Sequence, residues 1–194
     1  MNTHREWHLF RRIMTTAAFV LLALVVAAAA QESRREVVKH SPTPADDAKP
    51  NSDRVPDVYA LSGKFDRVLV FRFKYETDLL AGLEKMVKEE KVKNAVILSG
   101  IGSVKSYALH QVTNRTFPSK NTFVTNPTGS ADVIGMNGYI IDGRVHAHIT
   151  LATPEEAFGG HLEPGTQVFT FAIVTVGVMG DGLDFGRLDD KTHR

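Results

Sequence analysis

From Asp142 to Leu151 the chain reads Asp-Gly-Arg-Val-His-Ala-His-Ile-Thr-Leu, and no other stretch limits the fold so tightly. Asp-Gly is a two-residue hairpin signal, because a turn with positive φ at both central positions matches the twist of the strands it joins. Behind it Val145, Ala147, Ile149 and Leu151 are apolar, while Arg144, His146, His148 and Thr150 are polar. Such alternation marks a strand with one face on a core and the other turned away. Tyr139–Ile141, on the other side of the turn, is its antiparallel partner.

Other segments fit around this hairpin. Arg67–Tyr75 and Val168–Val178 are rich in Val, Phe and Ile and read as strands, the second apolar enough to be buried on both faces. Ala95–Ser99, Ser106–Val112 and Ala131–Met136 read as further strands. Leu79, Leu80, Leu83, Met86 and Val87 recur at helical spacing with Lys85, Lys88, Glu89 and Glu90 opposite, which predicts an amphipathic helix over about Thr77–Glu90. Gly100, Gly102 and Ser103 lie between two strands and predict a tight turn. A phosphate-cradling loop is the other reading of these glycines, but the third glycine and the following helix are missing. One helix against a largely antiparallel sheet makes the chain α+β, with a single domain over 61–179.

His146 and His148 share a strand face, with Cα atoms roughly 7 Å apart, so two imidazoles can converge on one ion. Thirteen residues beyond His148 stands Gly159-Gly160-His161, and the glycines suggest a bent loop that brings His161 back to the pair. The chain has no cysteine, so a metal must be held by His, Asp or Glu. Three histidines with one open position suit zinc or another divalent transition metal, with a water or small ligand in the fourth place. Glu155, Glu156 and Glu163 are near enough in sequence to supply a base, and each also reads as a surface acid. His110 could join or face the cluster and otherwise reads as an ordinary strand residue. The His-x-His of a cupin barrel is followed within a few residues by a ligating Glu, where this chain has Ala152 and Thr153. Ser103 lacks the context of a nucleophile elbow.

The N-terminal part has a different character. Arg5, Arg11 and Arg12 precede an uncharged run, Ile13–Ala30, that ends in Ala28, Ala29 and Ala30. That order predicts a signal peptide over 1–30, cleaved before Gln31, and hence a secreted or periplasmic protein that meets the membrane only in transit. An uncleaved N-terminal anchor is the alternative, since the run could just span a bilayer. Residues 31–58, with Pro42, Pro44, Pro50 and Pro56 among polar side chains, read as a linker, and 180–194 as a flexible tail. The whole chain carries 23 Lys and Arg against 22 Asp and Glu, a formal charge of +1. Without residues 1–30 the charge becomes −1.

Four motifs together resemble a known family. Leu79-Leu80-Ala81-Gly82-Leu83-Glu84, Ser99-Gly100-Ile101-Gly102-Ser103-Val104, Asp142-Gly143-Arg144-Val145-His146-Ala147-His148 and Gly159-Gly160-His161-Leu162 are similar, in this order, to the PPC domain conserved between plants and prokaryotes. The resemblance implies an α+β domain with an antiparallel sheet, a homotrimer with sites near subunit boundaries, and a metal shared by His146, His148 and His161. It also brings a DNA-binding label, which plant members owe to Arg-Gly-Arg-Pro hooks that this chain lacks. Ala172 stands where many bacterial members carry Glu.

Three functions follow as expectations. The first is an exported metal-binding module that takes a small ligand or performs hydrolysis at the three histidines. The second is DNA binding, which the charge of −1 and the export signal oppose, because affinity for DNA comes mainly from basic side chains on phosphates. The third is a structural or interaction module.

Overall fold

A computed structural model describes residues 36–38, 54–180 and 182–188, all within the unit Arg35–Arg194. The expected signal peptide and most of the expected linker lie outside the described residues. Among the described residues no helix is long and apolar enough to cross a membrane.

Among the described residues nine strands form one sheet: β1 (Glu36–Val38), β2 (Phe65–Lys74), β3 (Ala95–Val104), β4 (Tyr107–Val112), β5 (Asn121–Asn126), β6 (Ala131–Ile141), β7 (Arg144–Ala152), β8 (Ala157–Leu162) and β9 (Val168–Met179). Their spatial order is β1-β5-β4-β8-β7-β6-β3-β9-β2, and every pairing is antiparallel. The β6–β7 hairpin turns at Asp142 and Gly143, with φ of 49° and 77°, as its dipeptide predicts.

One helix, α1 (Leu79–Glu89), packs on the sheet with Leu79, Leu83 and Val87 buried. Asp78 caps it by accepting from the amide of Ala81 at 3.0 Å, and Lys91 ends the segment in the left-handed conformation at φ 54°. The helix touches both β2 and β7, four places apart in the sheet. Four strand spacings in a flat sheet span about 19 Å, beyond the roughly 10–12 Å diameter of a helix. The sheet therefore curls around α1, and the core fills its inner face with Phe71, Phe73, Ile97, Ile140, Leu151 and Val176.

Several expectations need correction. Gly100 and Gly102 make no turn; they lie inside β3, and the chain bends at Lys105 and Ser106 before running on into β4 in the same sense. A Cβ on Gly102, whose φ is 151°, would stand 2.3 Å from the carbonyl oxygen of Phe171, so this glycine lets β9 approach closely. Gly159 and Gly160 make no loop either; they belong to β8, where a Cβ would stand 2.4 Å from the carbonyl of Ile149 or of His110 respectively. β9 is buried on one face only, for Phe169 and Phe171 are 48% and 39% exposed. Residues 131–136 and 139–141 are one continuous strand. Glu36–Val38, inside the expected linker, pairs with β5. Within the expected tail, Phe185 is buried against Tyr139 at a ring distance of 6.1 Å, and Arg187 accepts from the Tyr59 hydroxyl.

Candidate metal centre

Cross-strand register builds the site. His148 on β7 lies opposite His161 on β8, and His161 in turn lies opposite His110 on β4. Three histidines thus form a row across adjacent strands, on the sheet face away from α1, and His146 stands two residues along β7. Strand pairing, not a folded-back loop, delivers His161.

Within the row the rings are close. The Nε2 atoms of His146 and His148 are 3.3 Å apart. The His161 ring centroid is 4.9 Å from that of His146 and 5.4 Å from that of His148, edge to face with both. His110 stacks on His161 at 4.6 Å and 17°, and Phe123 covers its other flank at 5.0 Å. Glu163 shares the face of His161 because it lies two residues on. Its Oε1 is 2.5 Å from Nδ1 of His110 and 3.3 Å from Nδ1 of His161. His110, His161 and Glu163 hold their ligand atoms within 4.8 Å of one another.

Electrostatics follow from this crowding. Burial lowers the pKa of His148 below the ordinary histidine value, and the neighbouring imidazoles of His161, His146 and His110 lower it further. Burial alone would raise the pKa of Glu163. Hydrogen bonds from His110 and His161 outweigh it and bring the carboxyl down to about 2. The cluster sets a His148 that leans neutral close to one firmly ionised carboxylate, Glu163.

The His146 and His148 pair has the spacing of two metal donors. Two nitrogens bound to one tetrahedral ion at about 2.0–2.1 Å stand roughly 3.3–3.4 Å apart, the separation that His146 and His148 already hold. Nδ1 of His161 is shielded from solvent and faces Glu163 Oε1 at 3.3 Å, with an alignment too poor for a full hydrogen bond.

The remaining candidates lie elsewhere. Gly100, Gly102 and Ser103 are on β3, two strands from β7, and the Ser103 hydroxyl bonds that of Thr170 at 2.6 Å. Arg144 lines an open cleft with Lys88, Lys91 and Gly143 at the C-terminal end of α1. Gly159 and Gly160 shape the site by letting β8 sit tightly between β7 and β4. Glu155 and Glu156 are exposed in the β7–β8 turn, at residues 153–156. Ala172 is buried between its cross-strand partners Phe73 and Gly102. Sequence reasoning left His110 and Glu163 outside the ligand set; their alternation with neighbours on β4 and β8 was the available signal.

Residues 60–180 match the Plants and Prokaryotes Conserved (PCC) domain, well over half of the chain. The chain belongs to this family. The PCC domain here is similar to a plant- and prokaryote-conserved protein from Pyrococcus horikoshii, at 26% identity and a TM-score of 0.52 over 64% of this chain and 87% of that one. A metal-containing protein from Archaeoglobus fulgidus has the same fold at 20% identity and a TM-score of 0.53, over 63% and 87% of the two chains. Among curated proteins the PCC domain is 26% identical over 120 residues to the bifunctional protein GlmU of Synechococcus sp.. That match takes in 61% of this chain and only 18% of the relative's length.

Proposed function

We propose that this PCC domain is an exported metal-binding module in which His146, His148 and His161 hold zinc or another divalent transition metal. The observation that carries the reading is the 3.3 Å separation of the His146 and His148 Nε2 atoms beside the His161 ring. The metal-containing relative from Archaeoglobus fulgidus agrees with it. Three imidazoles leave one position for a water or a small ligand, and a bound zinc would supply Lewis acidity there. The protein's own part is to hold the imidazoles on one rigid sheet face and to leave that face open to solvent.

Export rests on Arg5, Arg11 and Arg12 ahead of Ile13–Ala30. A homotrimer is part of the proposal, supported by the apolar side chains Val68, Val70, Ile101, Phe169 and Phe171 exposed on the outer face. The same patch favours a second reading, in which the domain is an interaction module and the histidines are secondary. DNA is left out of the proposal because residues 31–194 carry a formal charge of −1.

Elemental analysis of the purified full chain, wild type and with His146→Ala or His161→Ala, tests the reading. One metal ion per wild-type chain and loss in both variants is the expected result. A wild type free of metal after exposure to zinc refutes it.

A further inference from the structure

We infer that Glu163, clamped by His110, is the carboxylate that positions His161 in the metal centre, so that the working unit has five side chains rather than three. The inference rests on the metal reading above and assigns roles to the two residues that reading does not use.

His110, His161 and Glu163 could themselves be taken for a metal site, but two distances oppose this. Donors that share one ion at about 2.0–2.1 Å stand roughly 3.3–3.4 Å apart. His110 Nδ1 and Glu163 Oε1 are instead in direct hydrogen-bond contact at 2.5 Å, with no room for an ion between the atoms. Nor does His110 join the ion of His146 and His148. Its ring lies parallel to that of His161 at 4.6 Å, and both turn Nδ1 toward the same carboxylate, so equivalent nitrogens are separated by about the ring spacing. That is wider than a tetrahedral edge.

A carboxylate accepts hydrogen bonds and donates none, so a ring nitrogen facing Glu163 carries its proton. The same carboxylate lies 3.3 Å from Nδ1 of His161, and a small rotation that aligns this pair places the proton on Nδ1 and leaves the lone pair on Nε2. Ligating histidines commonly give their other N–H to a carboxylate, which fixes both tautomer and ring orientation. Glu163 is placed for this by backbone as well as side chain. Its amide donates to the carbonyl of Ala108 at 3.1 Å, and its carbonyl accepts from the Thr166 hydroxyl at 3.2 Å. The acid is pinned beside β4, two residues from His110.

The test titrates the full chain with cobalt(II), reading affinity and the visible absorption of the bound ion. Glu163→Ala and His110→Ala are expected to bind one ion per chain about 10–100-fold more weakly, with a changed cobalt spectrum. Glu163→Asp should recover part of the loss, and Thr150→Ala, on the same face but outside the relay, should match wild type. Melting of the metal-free forms checks folding, and Glu163→Gln and His110→Asn serve where an alanine variant does not fold. Wild-type affinity and spectrum in both relay variants overturn the inference while leaving the metal reading intact. So does binding that survives His146→Ala and vanishes in His110→Ala, since the ion would then sit in the other triad. A wild type that takes no cobalt refutes the metal reading itself, and is seen before any variant is made.

Discussion

Asp78 and Gly165, 87 residues apart, are joined by a hydrogen bond of 2.7 Å from the Gly165 amide to Oδ2 of Asp78. The other carboxylate oxygen caps α1 at Ala81, so one side chain fastens the helix start to the turn that follows Glu163. Asp78→Ala should cost about 1–2 kcal/mol, the upper part of the range for a lost cap. Urea unfolding should show it as a lower midpoint with an unchanged slope. Wild-type stability in this variant would mean that neither bond matters.

Gly160→Ala is expected to do more damage than its size suggests. The added carbon would stand 2.4 Å from the His110 carbonyl oxygen, and a paired backbone cannot yield cheaply. A loss of more than about 2 kcal/mol, or failure to fold, is expected. Gly135→Ala, with nothing nearer than 3.9 Å, is the control two strands away on β6 and should be tolerated far better.

Stability of the metal-free protein should fall in two pH windows. His148 has its pKa below 6.5 in the fold, so the unfolded chain takes up that proton first, and stability declines as pH drops below 6.5 toward the folded value. Glu163 moves from 4.5 to about 2, so its contribution is complete above 4.5 and lost as pH falls from there to about 2. Urea midpoints measured across this range should show both limbs. His148→Asn should flatten the upper one and Glu163→Gln the lower one. A midpoint constant from pH 7 to 3 would contradict both assignments.

A chelator should lower the melting temperature of the metal-loaded protein, and zinc should restore it. An ion at a hundred times its dissociation constant stabilises by about 2.7 kcal/mol, which at roughly 2–4 °C per kcal/mol for a chain of this size shifts melting by roughly 5–11 °C. No shift on chelation would place the metal outside the folded structure.

Light scattering of the wild type is expected to give the mass of a trimer. Val70→Glu combined with Phe171→Glu puts charges on the outer face without touching the core and should yield monomers. A wild-type monomer would remove the assembly from the proposal.

What local sequence could reveal and what it could not divide along a physical line. The hairpin at Asp142 and Gly143, the alternation of Arg144–Leu151 and the helix around Leu83 depend on near neighbours, and each was legible. Gly102, Gly159 and Gly160 were legible only as glycines. Whether a glycine turns the chain or admits a neighbouring strand depends on what lies beside it, and Phe171, Ile149 and His110 are distant or unconnected in local pattern. His146, His148 and His161 could be chosen as ligands from spacing. The contact of His110 with Glu163 spans 53 residues and required the β4–β8 pairing. Phe185 was hidden in a polar segment, where one aromatic ring outweighs the composition around it.

The row of histidines across β7, β8 and β4 also makes the site a gauge of how the sheet has assembled. Side chains alternate along each strand, so a slip of one residue in β8 would send His161 and Glu163 to the inner face and bring Gly160 and Leu162 outward. An ion that needs His148 and His161 together would bind the correctly registered sheet and ignore the slipped one. On the proposed reading, metal loading would select among pairings as the chain folds, beyond anything it would do for a ligand afterwards.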